Sequence, residues 1–390
     1  MKTKHATQSS AGIRPYSGVR ILDCTHRFGA YAGKLFADLG AEVILIEPPG
    51  GLPERRAGHE GDEISARFAF FNSGKKSVVI DFSDDGDRRR FDALARTAAV
   101  IFVERDGAMF DRITELRRLN PSAVITAISP FGMSGPLSDA PASDLILQAS
   151  GGIVWMSGRI EDAPLSLPFE QATMVGSIYA ATVTAIAFAD AEATGTGHLI
   201  DVSVQECIAH SLQNAIQVWD LEQRVSIRGG EGTRDASENI FPCRDGFIFL
   251  AAPLALGNSW KSLIAYIRET GHPSGEPLSE ERWSNREWRL TREAREEFRR
   301  LFIAFTMERT KEELTQEAIA RRIVLAPVNR VPDTFDDVQL AHRAFFTKMS
   351  LPSGREIAFP GAPYKLAPSV WHTSPAPVLG EHAALLEDQA

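Results

Sequence analysis

The sequence predicts a doubly wound α/β fold with a smaller second domain, and three observations carry that prediction. From residue 18 to residue 128, short apolar runs alternate with helical, charged segments, the pattern of βαβ units around a parallel sheet. The chain has 390 residues, and single cores stop growing well before that length, so about two domains are expected. Past residue 228 the texture shifts to charged helices, and it returns to strand and loop after residue 326.

Each element has its own signal. Residues 18–23 (GVRILD) form a β-type run, and a helical stretch over 32–39 ends at Gly40. Residues 42–47 (EVILIE) are the next strand, broken by Pro48, Pro49, Gly50 and Gly51. Runs at 77–81, 99–103 and 123–128 repeat the theme, with charged helical segments such as 87–95 between them. Residues 174–193 are alanine-rich and continuously apolar, which predicts a well-buried helix. A strand over 198–204 leads into a helix over 205–222. Glycines and charges without periodicity make 228–237 a loop. A hairpin around Arg244-Asp245-Gly246 follows, then helices over 287–304 and 310–319, and later a turn at 352–354. The domain limits are therefore 16–204 for the first part of the large domain and 205–228 for a linker helix. The small domain takes 229–326, and 327–390 is a return segment completing the large one.

Composition narrows the function. At 44% hydrophobic and 24% charged residues, the chain buries enough apolar surface to fold. No apolar run approaches ~18 residues, so no membrane span is expected, and the polar lead-in over 1–15 lacks a secretory signal. A formal charge of −9 argues against nucleic acid as a partner, which needs a broad positive footprint. A polyanionic ligand would need a local cluster of cations. Cys24, Cys207 and Cys243 stand far apart in no CxxC pair, which suits a reducing cytoplasm without disulfides. Cys24 and His26 have no second pair to join them, so no metal site is expected.

The common catalytic signatures fail. Gly195-Thr196-Gly197 is followed by Ile200 where a dinucleotide fingerprint needs glycine. Gly132-Met133-Ser134-Gly135 is not a nucleophile elbow. Two features stand out instead. Asn72-Ser73-Gly74-Lys75-Lys76-Ser77 is a basic turn directly before a strand; alone it reads as solvated. Glu47-Pro48-Pro49-Gly50-Gly51, followed by Arg55 and Arg56, is a loop at the carboxyl end of a strand, where doubly wound folds bind ligands.

With their neighbours these segments carry a resemblance. The GVRILD run, EVILIEPPGG, NSGKKSVVIDF at 72–82, Leu119-Asn120-Pro121 and ISPFGMSGP at 128–136 come in order. Asp144-Leu145 with Gln148, TGTG at 194–197 running into Asp201-Val202-Ser203, and Leu379-Gly380-Glu381-His382 continue it. From about Tyr16 to Leu386 the chain resembles the class III coenzyme A transferases, the group of formyl-CoA and carnitine-CoA transferases and α-methylacyl-CoA racemase. The resemblance implies a Rossmann-like large domain built from both chain ends, a smaller inserted α+β domain, and an interlocked dimer. It implies coenzyme A or an acyl-CoA as substrate, with a carboxylic acid as co-substrate and no permanently bound cofactor.

Carried over residue by residue, the resemblance puts His26 near the thioester and Arg112 on the nucleotide part of CoA. It puts Lys75 in the family's basic turn and Arg55 or Arg56 beside the phosphates. Such transferases act through an Asp that attacks the acyl-CoA to give a mixed anhydride and then an enzyme-bound thioester. Counted without a gap from Pro164 and from Thr194-Gly195, that position is Thr173, which cannot form an anhydride. Glu170 is the nearest carboxylate, the racemase histidine position is Ser143, and Arg105 and Asp106 depart from the family's pattern on the adenine side. Three readings follow. The chain is a subunit of a heteromeric acyl-CoA:carboxylic acid CoA-transferase, completed by a homologous partner, or by a second copy of itself. Alternatively it is another CoA-thioester enzyme, an isomerase, lyase, hydrolase or a transferase using Glu170. Lastly, it is a catalytically inactive CoA-binding protein.

Overall fold

Six apolar runs pair into one parallel sheet. β1 (Arg20–Cys24), β2 (Glu42–Glu47), β3 (Lys76–Val79), β4 (Val100–Glu104), β5 (Val124–Ser129) and β6 (Leu199–Ser203) lie in the order β3-β2-β1-β4-β5-β6. The computed structural model describes residues 14–56, 64–159, 161–228, 234–351, 354–367 and 371–387. Most of the expected lead-in, the middle of the 228–237 loop and part of the 352–354 turn lie outside the described residues.

The central strands are apolar without alternation because both faces are covered. Ile21, Val43, Phe102 and Ile128 face α1 (Ala30–Asp38). Leu22, Ile44, Ile101 and Ile125 face the other way. There they meet residues of α3 (Asp85–Thr97) and α4 (Ile113–Leu119). Between α1 and α3 in the chain lies α2 (Ala66–Phe71), which packs on Leu45. The loop after β5 leads through α5 (Asp144–Ser150) to α6 (Gln171–Thr194), on the α1 side of the sheet.

By length and composition α6 is apolar enough to cross a bilayer, yet it is a packed core helix. Ala172, Gly176, Ala180, Thr184 and Ala187 are buried, and small side chains let its backbone approach its neighbours. A Cβ on Gly176 would stand 2.9 Å from Val204. Thr184 bonds Thr126 of β5 at 2.7 Å through their hydroxyls. The helix expected to be well buried is open on one side, where Ile178 and Ile186 are 47% and 68% exposed. The helix expected over 205–222 is two, α7 (Val204–Ser211) and α8 (Ala215–Glu222). Gln213 between them has φ 55°, a left-handed conformation that ends a helix.

The described residues divide into two compact units. One runs to Trp155, then takes Leu165–Ile216 and the residues from His342; the other takes Met156–Pro164 and Gln217–Ala341. Around 326/327 the chain runs on within the second unit for a physical reason. β9 (Leu325–Val328) pairs antiparallel with β8 (Gly246–Leu250), which pairs with β7 (Asn239–Cys243), so Pro327 belongs to the smaller sheet. β7 and β8 meet across Arg244 and Asp245, a two-residue hairpin.

The second unit also holds α9 (Ser259–Glu269), α10 (Arg286–Arg289), α11 (Arg292–Thr306), α12 (Lys311–Arg321) and α13 (Val338–His342). Thr310 and Glu313 cap α12 reciprocally. Phe241, Trp260, Trp283, Phe298 and Phe302 make its aromatic core. In the first unit β10 (Phe346–Ser350) and β11 (Glu356–Pro360) form a separate antiparallel pair.

Candidate active site

Three adjacent strands carry a buried acid at or next to their carboxyl ends: Glu47 on β2, Asp23 on β1 and Glu104 on β4. A buried carboxylate must be paired or hydrogen-bonded, and the neighbouring loops do this. Asp23 pairs with Lys75 (Nζ to Oδ2 2.7 Å), and its other oxygen accepts from the backbone N–H and hydroxyl of Thr25. Glu47 is gripped by both arms of Arg55 at 2.5 and 2.6 Å and accepts from the Ser77 hydroxyl. Glu104 accepts from the backbone N–H groups of His26, Arg27 and Phe28, each at 3.0 Å.

These acids decide what the expected cations do. Lys75 is buried, and Nζ also donates to the Ala30 carbonyl at 2.7 Å and to Asn72 Oδ1 at 2.8 Å. Burial pushes its ammonium below the usual lysine range, against the opposing pull of Asp23. Arg55 is buried as well and donates to the Pro377 carbonyl at 3.0 Å, fastening the C-terminal segment to the sheet. Arg112 is shared between Glu115 and Asp92, at 2.8 and 2.9 Å. Arg56 has an exposed side chain and no hydrogen bond or ion pair among the described residues. His26 is half-buried, with Nδ1 3.8 Å from Glu104. The structure thus brings His26, Lys75, Arg55 and Arg56 to one edge of the sheet, but commits two of the cations to acids of that edge.

The start of α6 meets the same edge. Thr173 is buried in its first turn, and its N–H donates to Asp144 Oδ1 at 2.7 Å. Asp144 Oδ2 accepts from Gln148, whose side-chain oxygen accepts from Leu167 N–H. One turn after Thr173, the Ser177 hydroxyl donates to the Phe28 carbonyl at 2.6 Å, joining α6 to the loop after β1. Glu170 precedes the helix and receives Arg67 Nε on both oxygens, at 2.7 and 2.8 Å. Ser143 caps α5, and Arg105 pairs with Asp139.

Glu104 was missed by reasoning from the sequence. Its signal is an acid closing the all-apolar run Val100–Glu104, the same mark that Glu47 leaves in EVILIE. A cleft of about 590 Å³ lies elsewhere, lined by α4, the turns before β5 and β6, and Met133. It contains none of the expected site residues. Among the described residues, no three His, Cys, Asp or Glu side chains form a metal-binding group.

The cysteines are not nucleophiles in waiting. Burial pushes the Cys24 thiol well up, with Asp23 adding to it and Arg112 opposing. Burial, helped by Glu206, carries Cys207 to about 11, and Cys243 is raised by burial too. The thiolate is the reactive form, so a raised pKa starves alkylation. Iodoacetamide at neutral pH is therefore expected to label the native protein slowly and the denatured protein at all three positions. Intact-mass measurement reads both, and rapid native labelling at Cys24 would refute the assignment.

A parallel Rossmann-like sheet whose carboxyl edge is built from polar loops defines a doubly wound α/β protein, the class of fold in which ligands bind outside that edge. Among solved structures, a CAIB/BAIF family protein from Brucella suis shares this fold, with TM-score 0.84 at 24% identity, over 96% of this chain and 99% of that one. The sequence model of CoA-transferase family III matches residues 16–383, and the chain belongs to that family. Succinyl-CoA:(R)-benzylsuccinate CoA-transferase subunit BbsE of Thauera aromatica is 34% identical over 94% of this chain and 92% of its own. The Succinyl-CoA--L-malate CoA-transferase alpha subunit of Chloroflexus aurantiacus is 26% identical, over 89% and 81%.

Proposed function

We propose that this chain is a subunit of an acyl-CoA:carboxylic acid CoA-transferase, and that a homologous partner supplies the Asp nucleophile. The observation that carries the proposal is Thr173, which stands at the position the ungapped count gives to that Asp. A threonine hydroxyl there offers no acid-for-acid exchange, so the anhydride step must run on another chain. Two of the relatives are themselves named as subunits, which supports the heteromeric form. Ile178 and Ile186, exposed one above the other on α6, support an apolar contact with a second chain.

In this reading the acyl-CoA lies at the carboxyl edge of the large unit, with His26 toward the thioester, Arg56 toward the phosphates and Arg112 toward the nucleotide part. Lys75 and Arg55 act as positioning residues, holding the edge through Asp23 and Glu47. The reaction belongs in the cytoplasm, where acyl-CoA is made and where three free cysteines persist.

The test is co-purification from the native host, then intact-mass analysis with succinyl-CoA, acetyl-CoA and aryl-CoAs under hydroxylamine trapping. The chain alone is expected to stay unmodified, and a co-purified homologue to carry the adduct on Asp. An adduct on Glu170 of this chain would replace the partner-dependent reading with a transferase using that glutamate. CoA binding without any adduct, and without a partner, would leave the inactive binder.

A further inference from the structure

We propose that the backbone N–H groups of His26, Arg27 and Phe28 form a carboxylate-binding site, which the chain fills with its own Glu104. The proposal goes beyond the transferase reading and does not depend on Thr173. Three consecutive donors converge on one side chain: His26 and Arg27 donate to Oε2, and Phe28 to Oε1, all at 3.0 Å. Successive N–H groups turned to one point make an anion-binding concavity. Two acceptor oxygens dividing three donors fit a planar carboxylate, and a neutral amide would offer those donors a single oxygen.

The concavity is held from behind, so it does not owe its shape to Glu104 alone. The Phe28 carbonyl is tied to Ser177 of α6. Asp23 fixes Thr25 at the start of the loop. Gly29 at its end admits no side chain, because a Cβ would lie 2.6 Å from Thr25 Cγ2 and 2.7 Å from Ile128 Cδ1. The guest is equally fixed: Glu104 is 1% exposed, and its strand continues through the Arg105 N–H bond to the Ile128 carbonyl. Because Ser177 stands one helical turn from Thr173, the filled site abuts the start of α6. A small acid arriving there competes with a carboxylate already tethered in place, at high effective concentration. While Glu104 is in place the site is therefore closed to small carboxylates, and only removal of its carboxylate opens the site to them.

The experiment removes the guest and offers a free one. Glu104→Ala is purified, and its thermal unfolding is followed in sodium formate and sodium acetate against sodium chloride of matched ionic strength. The variant is expected to melt lower than the parent in chloride and to recover in formate, with the parent indifferent to the anion. Equal melting of the variant in all three salts, or an equal response of the parent, would overturn the proposal. Should the variant fold only in formate, that supports it. Should it fold in none, Glu104→Gln decides by amide hydrogen exchange. Exchange at His26, Arg27 and Phe28 is then expected to rise about tenfold or more as the donors lose an acceptor. Unchanged exchange would overturn it.

Discussion

Arg289→Met is expected to cost about 3–5 kcal/mol of stability, the largest single loss foreseen for the smaller unit, because it leaves a buried carboxylate without its cation. The Arg289 side chain is fully buried. Its Nε and Nη2 grip Asp235 at 2.7 and 2.6 Å, while Nη2 also donates to the Ala252 carbonyl and Nη1 to that of Trp283. The guanidinium lies 3.8 Å over the Trp260 ring. No other side chain reproduces that planar fork, so Arg289→Lys should recover only part of the loss. Urea denaturation followed by tryptophan fluorescence reads the effect through Trp260 and Trp283. A midpoint unchanged in Arg289→Met would sink the assignment. Making the site apolar on both sides, with Asp235→Leu added, should return some of the stability, because the stranded charge disappears with its partner.

Lys75→Met should be the corresponding lesion in the large unit, at about 3–5 kcal/mol by the same argument. The sequence alone suggests a different outcome, weaker coenzyme A binding in a chain of unchanged stability. The geometry reverses the order of effects. Nζ is enclosed by Asp23, Asn72 and the Ala30 carbonyl, so no donor remains to face a phosphate. The double variant Asp23→Asn with Lys75→Met should be less damaged than the two losses added together, since the pair is one unit. Full stability of Lys75→Met, combined with weakened acyl-CoA affinity by calorimetry, would restore the phosphate role and refute the structural one.

Much of the large unit was legible because parallel strands buried on both faces announce themselves as unbroken apolar runs, and breaks such as Gly40 and Pro48 to Gly51 separate them. Break points inside helices were less visible. Nothing in Leu212-Gln213-Asn214 marks a left-handed residue, and the stretch keeps its apolar rhythm on both sides. Around 326 the sequence says less, because Leu325–Val328 is a short strand containing a proline, and its pairing with Phe247–Leu250 is a long-range event that no local pattern carries. For the site, charge was legible and charge balance was not. Lys75 and Arg55 are visible as cations near strand ends. Their partners Asp23 and Glu47 look like ordinary strand caps until the fold brings them within 3 Å. Whether a cation is free to meet a ligand depends on that pairing, which is a property of the tertiary structure.

The attachment at Ser77 bears on how the chain is made. Ser77 binds Gly380 N–H through its hydroxyl, His382 N–H through its carbonyl and the His382 ring through its own N–H. Arg55 meanwhile holds Pro377. The edge strand β3 thus waits, during translation, for residues that leave the ribosome after Gln217–Ala341 have passed. From Val79 to Gly380 is about 300 residues, so at about 5–20 residues per second that wait is about 15–60 seconds. The later, nearly continuous unit finishes folding first, and the earlier one spends the interval with an open sheet margin, which makes it the segment of the nascent chain that a chaperone would guard.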